Sequence, residues 1–423
     1  MKAHRSYFLA IALLSMLLTS SPTYGQFDYI DGWRGQLFPS YIIATATMHE
    51  EEKPAEEAEE EKKEEGDPDA DADKEPEEKD EFLGDPDSKR LLGVIVEAPE
   101  DDTPIQVEIE ADGIIAKSTW SGVLEKAGKE YTVFPPLKFN FKSLVANAQS
   151  IPLAVTYRVT IGDNDPVEHT VNTTLRSIND CPFALIYDEE NVQDISYMFA
   201  AYVNEQHPFV DKVLREALNR GVVDSFTGYQ SNDPAVVLKQ VYAIWDALSR
   251  RDVRYSSITE SAVVNKMVHS QHVRLIDQSI NNAQANCVDG SVLFASLLRK
   301  IGIQPALVLV PGHCFLAYSS DPEGKRWVGL ETTLIGDKEI QVGPDPVGDK
   351  IVGDKWAKQR SWETFRAAIS IGNKRLEDDN EKFADEDSLT HQIIPIARAR
   401  QKGVLPIAFD SSEQFKSSKG KPE

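Results

Sequence analysis

The sequence predicts an α+β protein, with a β-rich part followed by a mixed part of helices and sheet, and three observations carry this. Between residues 90 and 176, short runs alternate apolar and polar residues and are separated by turn residues. From about residue 204 the apolar spacing lengthens to that of helices, and between Asn286 and Ile335 the pattern runs helix, strand, strand. The 423 residues, 41% of them hydrophobic, suffice for two such domains. The net charge of −24 opposes the cationic surface that a phosphate backbone requires, so no nucleic-acid partner is expected. Three cysteines are too few for a disulfide-dense scaffold.

Residues 1–25 read as a signal peptide: Lys2 and Arg5 precede an apolar run over 7–18, and small residues prepare a cut after Gly25. The run is short for a membrane span and no later stretch replaces it, so an exported protein without stable membrane insertion is expected. Residues 26–48 end in Tyr41-Ile42-Ile43-Ala44-Thr45-Ala46-Thr47-Met48, which reads as a first strand. An acidic tract fills 49–88. Its 19 acidic residues and five lysines between Glu50 and Glu81 carry −14 and have almost nothing to bury, so it is expected to be disordered. It is either an insertion in an early loop of the β-domain or a linker before it.

Residues 89–180 hold the β-rich domain. Runs over 90–97, 104–111, 132–135, 151–161 and 167–176 suggest an antiparallel β-sandwich of immunoglobulin-like size. At Asp180-Cys181-Pro182 the character turns helical, opening a second domain over 181–410. One helix covers 204–219 and stops at Gly221; another opens at Asp233-Pro234, with Tyr242 and Trp245 as core. Later, Ser361 is read as the cap of a helix over 362–376. Residues 411–423 read as a frayed tail.

The chemistry concentrates in Asn286-Cys287-Val288-Asp289 and the strands downstream of it. Asn286 is a good N-cap and Asp289 stands at N3, completing a capping-box-like start to a helix that Gly302 closes. Cys287 thus lies on the first turn, where unpaired N–H groups and the positive helix end favour thiolate. The bland alternative is a small buried residue in a helix start. A strand over 306–310 and its partner through Pro311-Gly312-His313-Cys314-Phe315 come next, then a strand from Trp327 carrying Glu331. One helix start packed on two neighbouring strands can assemble a nucleophile, a base and a carboxylate that orients the base. Strand alternation sends Cys314 to the face opposite His313, which argues against a Cys-His-Cys zinc site. A disulfide between Cys181 and Cys314 remains an open alternative.

Asn-Cys-x-Asp before an apolar helix ending Leu297-Leu298-Arg299-Lys300-Ile301-Gly302-Ile303, then Gly312-His313 and an acid before Thr332-Thr333, resembles the bacterial branch of the transglutaminase-like superfamily. The likeness covers residues 255–336 closely and 181–410 loosely. It implies a papain-like cysteine-protease fold in which a Cys-bearing helix packs on an antiparallel sheet. Cys287 would be nucleophile, His313 base and Glu331 the third member, although aspartate is usual there. It further implies attack on protein or peptide amides through a thioester, with hydrolysis favoured over crosslinking and no cofactor or metal required. Oxyanion or supporting candidates are Gln271, Gln284, Asn286 and Asp289. The competing reading is a secreted scaffold or binding protein that keeps the fold without catalysis.

Overall fold

A computed structural model describes residues 27–48, 81–85, 89–188, 191–256, 267–385, 388–408 and 414–416. The expected signal peptide and nearly all of the acidic tract lie outside these residues. The fold is mixed α+β. It divides into two compact units whose segments interleave along the chain. The first is formed by Met1–Leu37, Met48–Leu144 and Ser150–Arg176, the second by Phe38–Thr47, Val145–Gln149 and Ser177–Glu423, each through its described residues.

The first unit is built of ten strands: β1 (Asp28–Asp31), β2 (Gln36–Leu37), β3 (Glu81–Gly84), β4 (Leu92–Glu97), β5 (Thr103–Ala111), β6 (Ile115–Leu124), β7 (Glu130–Phe134), β8 (Lys138–Phe139), β9 (Ile151–Ile161) and β10 (Val167–Leu175). They form a four-stranded sheet in the order β1-β4-β7-β3 and a six-stranded sheet in the order β2-β10-β9-β5-β6-β8. Alternation is clearest on β5, where Ile105, Val107 and Ile109 are buried and Gln106 is exposed. Tyr157 is buried too, and its hydroxyl donates to the Ile30 carbonyl at 2.8 Å. The strands read at 90–97, 104–111, 132–135, 151–161 and 167–176 are all present, with ends shifted by no more than two residues. The ten-residue β6 has no counterpart in the sequence pattern, because Lys117, Ser118, Thr119, Ser121 and Gly122 interrupt its apolar alternation.

The segment read as a first strand is instead helix α1 (Pro39–Ala44), and it belongs to the second unit. Pro39 occupies the first helical position, where a fixed φ and a missing N–H cost nothing. Phe38, Ile42 and Ile43 are buried. Ser40 Oγ donates to the Asp180 carbonyl at 2.6 Å, and Leu405 N–H donates to the Ala44 carbonyl at 2.8 Å.

The helical character expected from Asp180 onward is also corrected. Residues Asp180–Ile186 are strand β11, paired with β12 (Val192–Asp194) and β14 (Val268–His272). Then come helices α2 (Pro208–Arg220), stopped by Gly221 at φ 75°, and α3 (Pro234–Arg250), capped by Asp233. The short β13 (Arg254–Tyr255) runs parallel to β15 (Gln284–Ala285), which comes after helix α4 (Ile276–Asn282). Helix α5 (Cys287–Lys300) packs on a sheet of order β18-β17-β16-β19, made of β16 (Pro305–Val310), β17 (His313–Ser319), β18 (Trp327–Leu330) and β19 (Gln392–Pro395).

Helix α6 (Arg360–Asp378) packs along β18. Ser361 lies inside α6 rather than capping it, because its hydroxyl is spent on Asp246 Oδ1 at 2.6 Å. Tyr242, Trp245, Phe294, Trp362 and Phe365 form the aromatic core, and Trp245 Nε1 donates to Thr364 Oγ1 at 3.0 Å. Part of the expected frayed tail is docked. Phe415 packs edge-on against Phe209 with ring centroids 5.1 Å apart, and Arg251 donates to the Lys416 carbonyl at 3.0 Å.

Candidate active site

Helix α5 begins where local chemistry requires. Asn286 is extended, and its side chain accepts from Asp289 N–H at 2.8 Å while Asp289 Oδ2 accepts from Asn286 N–H at 2.9 Å. This reciprocal pair fixes the first turn on which Cys287 lies. Asp289 is fully buried and does more. Its Oδ1 accepts from Arg274 N–H at 2.7 Å and its Oδ2 from Arg274 Nη1 at 2.6 Å, so one carboxylate ties the helix start to the β14–α4 connection. Gly290 lets this end of α5 approach the turn after Glu331: a Cβ there would lie 3.0 Å from Thr332 Oγ1.

His313 opens β17 after a turn at Gly312, whose φ of 71° only glycine adopts freely. Its ring stacks near Phe315, centroids 6.3 Å apart. Glu331 comes directly after the last residue of β18 and caps the turn Thr332–Leu334. His313 Nε2 and Glu331 Oε2 are 2.7 Å apart, so the glutamate reaches the imidazole. Glu331 Oε1 accepts from Thr333 Oγ1 at 2.8 Å and from Thr333 N–H at 3.3 Å. Both oxygens of a side chain only 3% exposed are therefore occupied.

These contacts set the electrostatics. Burial opposes the imidazolium, but hydrogen bonds with the Cys287 and Glu331 side chains, and their charges, outweigh it. The His313 pKa rises from 6.5 to about 9. Burial also opposes Glu331 ionisation, yet His313 and Thr333 hold its carboxyl below the usual glutamate range. Cys287 is the one cysteine with partial exposure; Cys181 and Cys314 are buried, and burial pushes both thiols well up. All three are free, so the alternative Cys181–Cys314 disulfide is not formed. Among the described residues no group of three or more His, Cys, Asp and Glu side chains is arranged to hold a metal ion.

Cys287, His313 and Glu331 are neighbours in the structure, but three of the four supporting candidates have other work. Asn286 and Asp289 are consumed by the capping box, and Asp289 as a carboxylate has no hydrogen to donate to an oxyanion. Gln271 Nε2 donates to the neighbouring His272 carbonyl at 3.3 Å. Gln284 is exposed, on the strand beside Arg254.

Tyr255 joins this group without having been singled out by the sequence. Its strand lies against β15, directly before Asn286-Cys287, and Ser256 N–H donates to the Ala285 carbonyl at 2.9 Å. Burial and then the charges of Cys287 and Glu331 raise its phenol pKa, which places its hydroxyl in their field. A cleft of about 300 Å³ opens there, lined by Arg254, Tyr255, Thr333, Ile335, Asp337 and Glu339 among others. Only its position in the short strand-like run after Val253 points to it.

Comparison with protein-family models gives no match for this chain, and comparison with curated proteins gives none.

Proposed function

We propose that this protein is an exported transglutaminase-like cysteine hydrolase that cleaves protein or peptide amides through a thioester. The observation that carries the reading is one group of neighbours: a partly exposed thiol on the first turn of α5, an imidazole whose pKa that thiol helps to raise, and a buried carboxylate 2.7 Å from that imidazole. The first unit, with two sheets and alternating burial, suits an immunoglobulin-like accessory module. Export rests on the leader-like residues 1–25. Among the described residues no helix is long and apolar enough to cross a membrane.

In the proposed reaction His313 has one nitrogen free for the thiol. Glu331 occupies Nε2, leaving Nδ1 to take the Cys287 proton. The thiolate attacks the amide carbon; a C–S bond forms and the carbonyl electron pair moves to oxygen. The Cys287 N–H at the helix start and the Tyr255 hydroxyl are the donors for that oxyanion. As the pair returns, the C–N bond breaks and the imidazolium gives its proton to the departing amine. Water then attacks the thioester, His313 takes its proton, the C–S bond breaks, and the carboxylic acid leaves.

Alkylation of Cys287 by iodoacetamide between pH 4 and 10 tests the reading. The expected result is that His313→Ala slows alkylation near neutral pH by about 10²-fold or more. A pH profile of alkylation that is the same in both proteins overturns the enzyme reading and leaves the non-catalytic scaffold.

A further inference from the structure

Glu331 does not serve His313 alone. Its N–H donates to the Ala368 carbonyl of α6 at 3.0 Å, and Gly329 N–H donates to Asn373 Oδ1 at 2.8 Å. The helix comes this close because two glycines meet backbone to backbone. A Cβ on Gly329 would lie 2.3 Å from the Gly372 backbone, and one on Gly372 would lie 2.4 Å from that of Gly329. Three residues along α6, Arg375 Nε lies 3.4 Å from Glu331 Oε2, the same oxygen that holds His313 Nε2 at 2.7 Å. Arg375 Nε is buried and makes no hydrogen bond among the described residues. The guanidinium thus lies beside an oxygen that is already engaged, without a hydrogen bond to it, while Thr333 keeps the other oxygen occupied.

We propose that Arg375 is a positioning residue that shares Glu331 Oε2 with His313 and thereby limits how tightly the carboxylate holds the imidazolium. The consequence is chemical. An imidazolium gripped by an unshared carboxylate is a poor acid toward a departing amine, and a competing cation loosens that grip. The arrangement also gives the glutamate a use: the longer side chain reaches two cations from a backbone anchored against α6. The groups in contact with the Glu331 carboxylate are His313 on β17, Thr333 beside it and Arg375 on α6, while Cys314 and Tyr255 feel its charge and Cys287 lies beyond the imidazole. Cys314 and Tyr255 are neutral near pH 7, their pKa values being raised. Asp379, just past the end of α6, competes for the same guanidinium. Removing Arg375 withdraws a repelling charge from the imidazolium and returns the whole oxygen to it, so both effects stabilise the protonated ring.

The inference rests on His313 and Glu331 acting as the pair proposed above, but its readout does not require catalysis. The His313 ring is titrated by NMR in the full chain for the natural protein, Arg375→Gln and Arg375→Lys. The expected result is that Arg375→Gln moves the His313 midpoint to higher pH by about half a unit, while Arg375→Lys stays close to the natural value. A midpoint in Arg375→Gln that is unchanged, or lower, overturns the proposal and assigns Arg375 to packing alone. Should His313→Ala leave Cys287 alkylation unchanged while the midpoint still moves, the enzyme reading fails and the shared oxygen stands.

Discussion

At the scale of single residues, the His313–Glu331 pair makes stability depend on pH. The folded pKa of His313 is about 9 against 6.5 for the free side chain, so its contribution is complete below about 6.5 and disappears as pH rises through about 9. Glu331 acts in the opposite sense: its folded pKa is depressed, so its contribution is present above the ordinary glutamate value and lost as pH falls below it. The pair therefore stabilises the fold between those limits. Comparing urea midpoints of the natural protein and His313→Gln should show the largest gap near pH 6 and a much smaller one at pH 10. An equal gap at both values would mean that His313 contributes packing and no charge.

At the scale of elements, the start of α5 is held by Asp289 more than by any other side chain. Three N–H donors converge on its carboxylate, and one belongs to an arginine side chain that is only 12% exposed. Asp289→Ala should therefore cost about 3–5 kcal/mol, because it leaves a cation buried without its partner, and denaturant unfolding measures this directly. A loss under 1 kcal/mol would show that water readily replaces the carboxylate. This start is legible from Asn286 to Asp289 because capping chemistry is local: four consecutive residues contain it. Tyr255 and Arg375 are not legible, since each reaches the site from an element remote in sequence and no neighbour marks it. The same limit explains α1. Its Tyr41-Ile42-Ile43 run favours a strand by composition, and only Pro39 two positions upstream signals a helix start. Asp180–Ile186 escapes a local reading for a related reason: the partners that make it a strand are β12 and β14, and β14 begins about 80 residues later.

At the scale of the whole molecule, the second unit cannot be cut out at one place. It needs α1, whose Phe38, Ile42 and Ile43 are buried and whose backbone accepts from Leu405. A chain beginning at Ser177 lacks that helix and should be recovered aggregated or should melt well below the full protein. Adding a peptide of residues 38–47 should partly restore it. A Ser177–Glu423 chain with the melting temperature of the full protein would show α1 to be dispensable.

That early helix also sets an order of events during synthesis. Pro39–Ala44 leaves the ribosome well before its partners: the Asp180 carbonyl emerges 140 residues after Ser40, and the donor Leu405 later still. It must wait, apolar side chains unburied, until those partners have been made. A holding factor that shields short hydrophobic segments would engage there, and pausing before Leu405 is made would prolong that exposure.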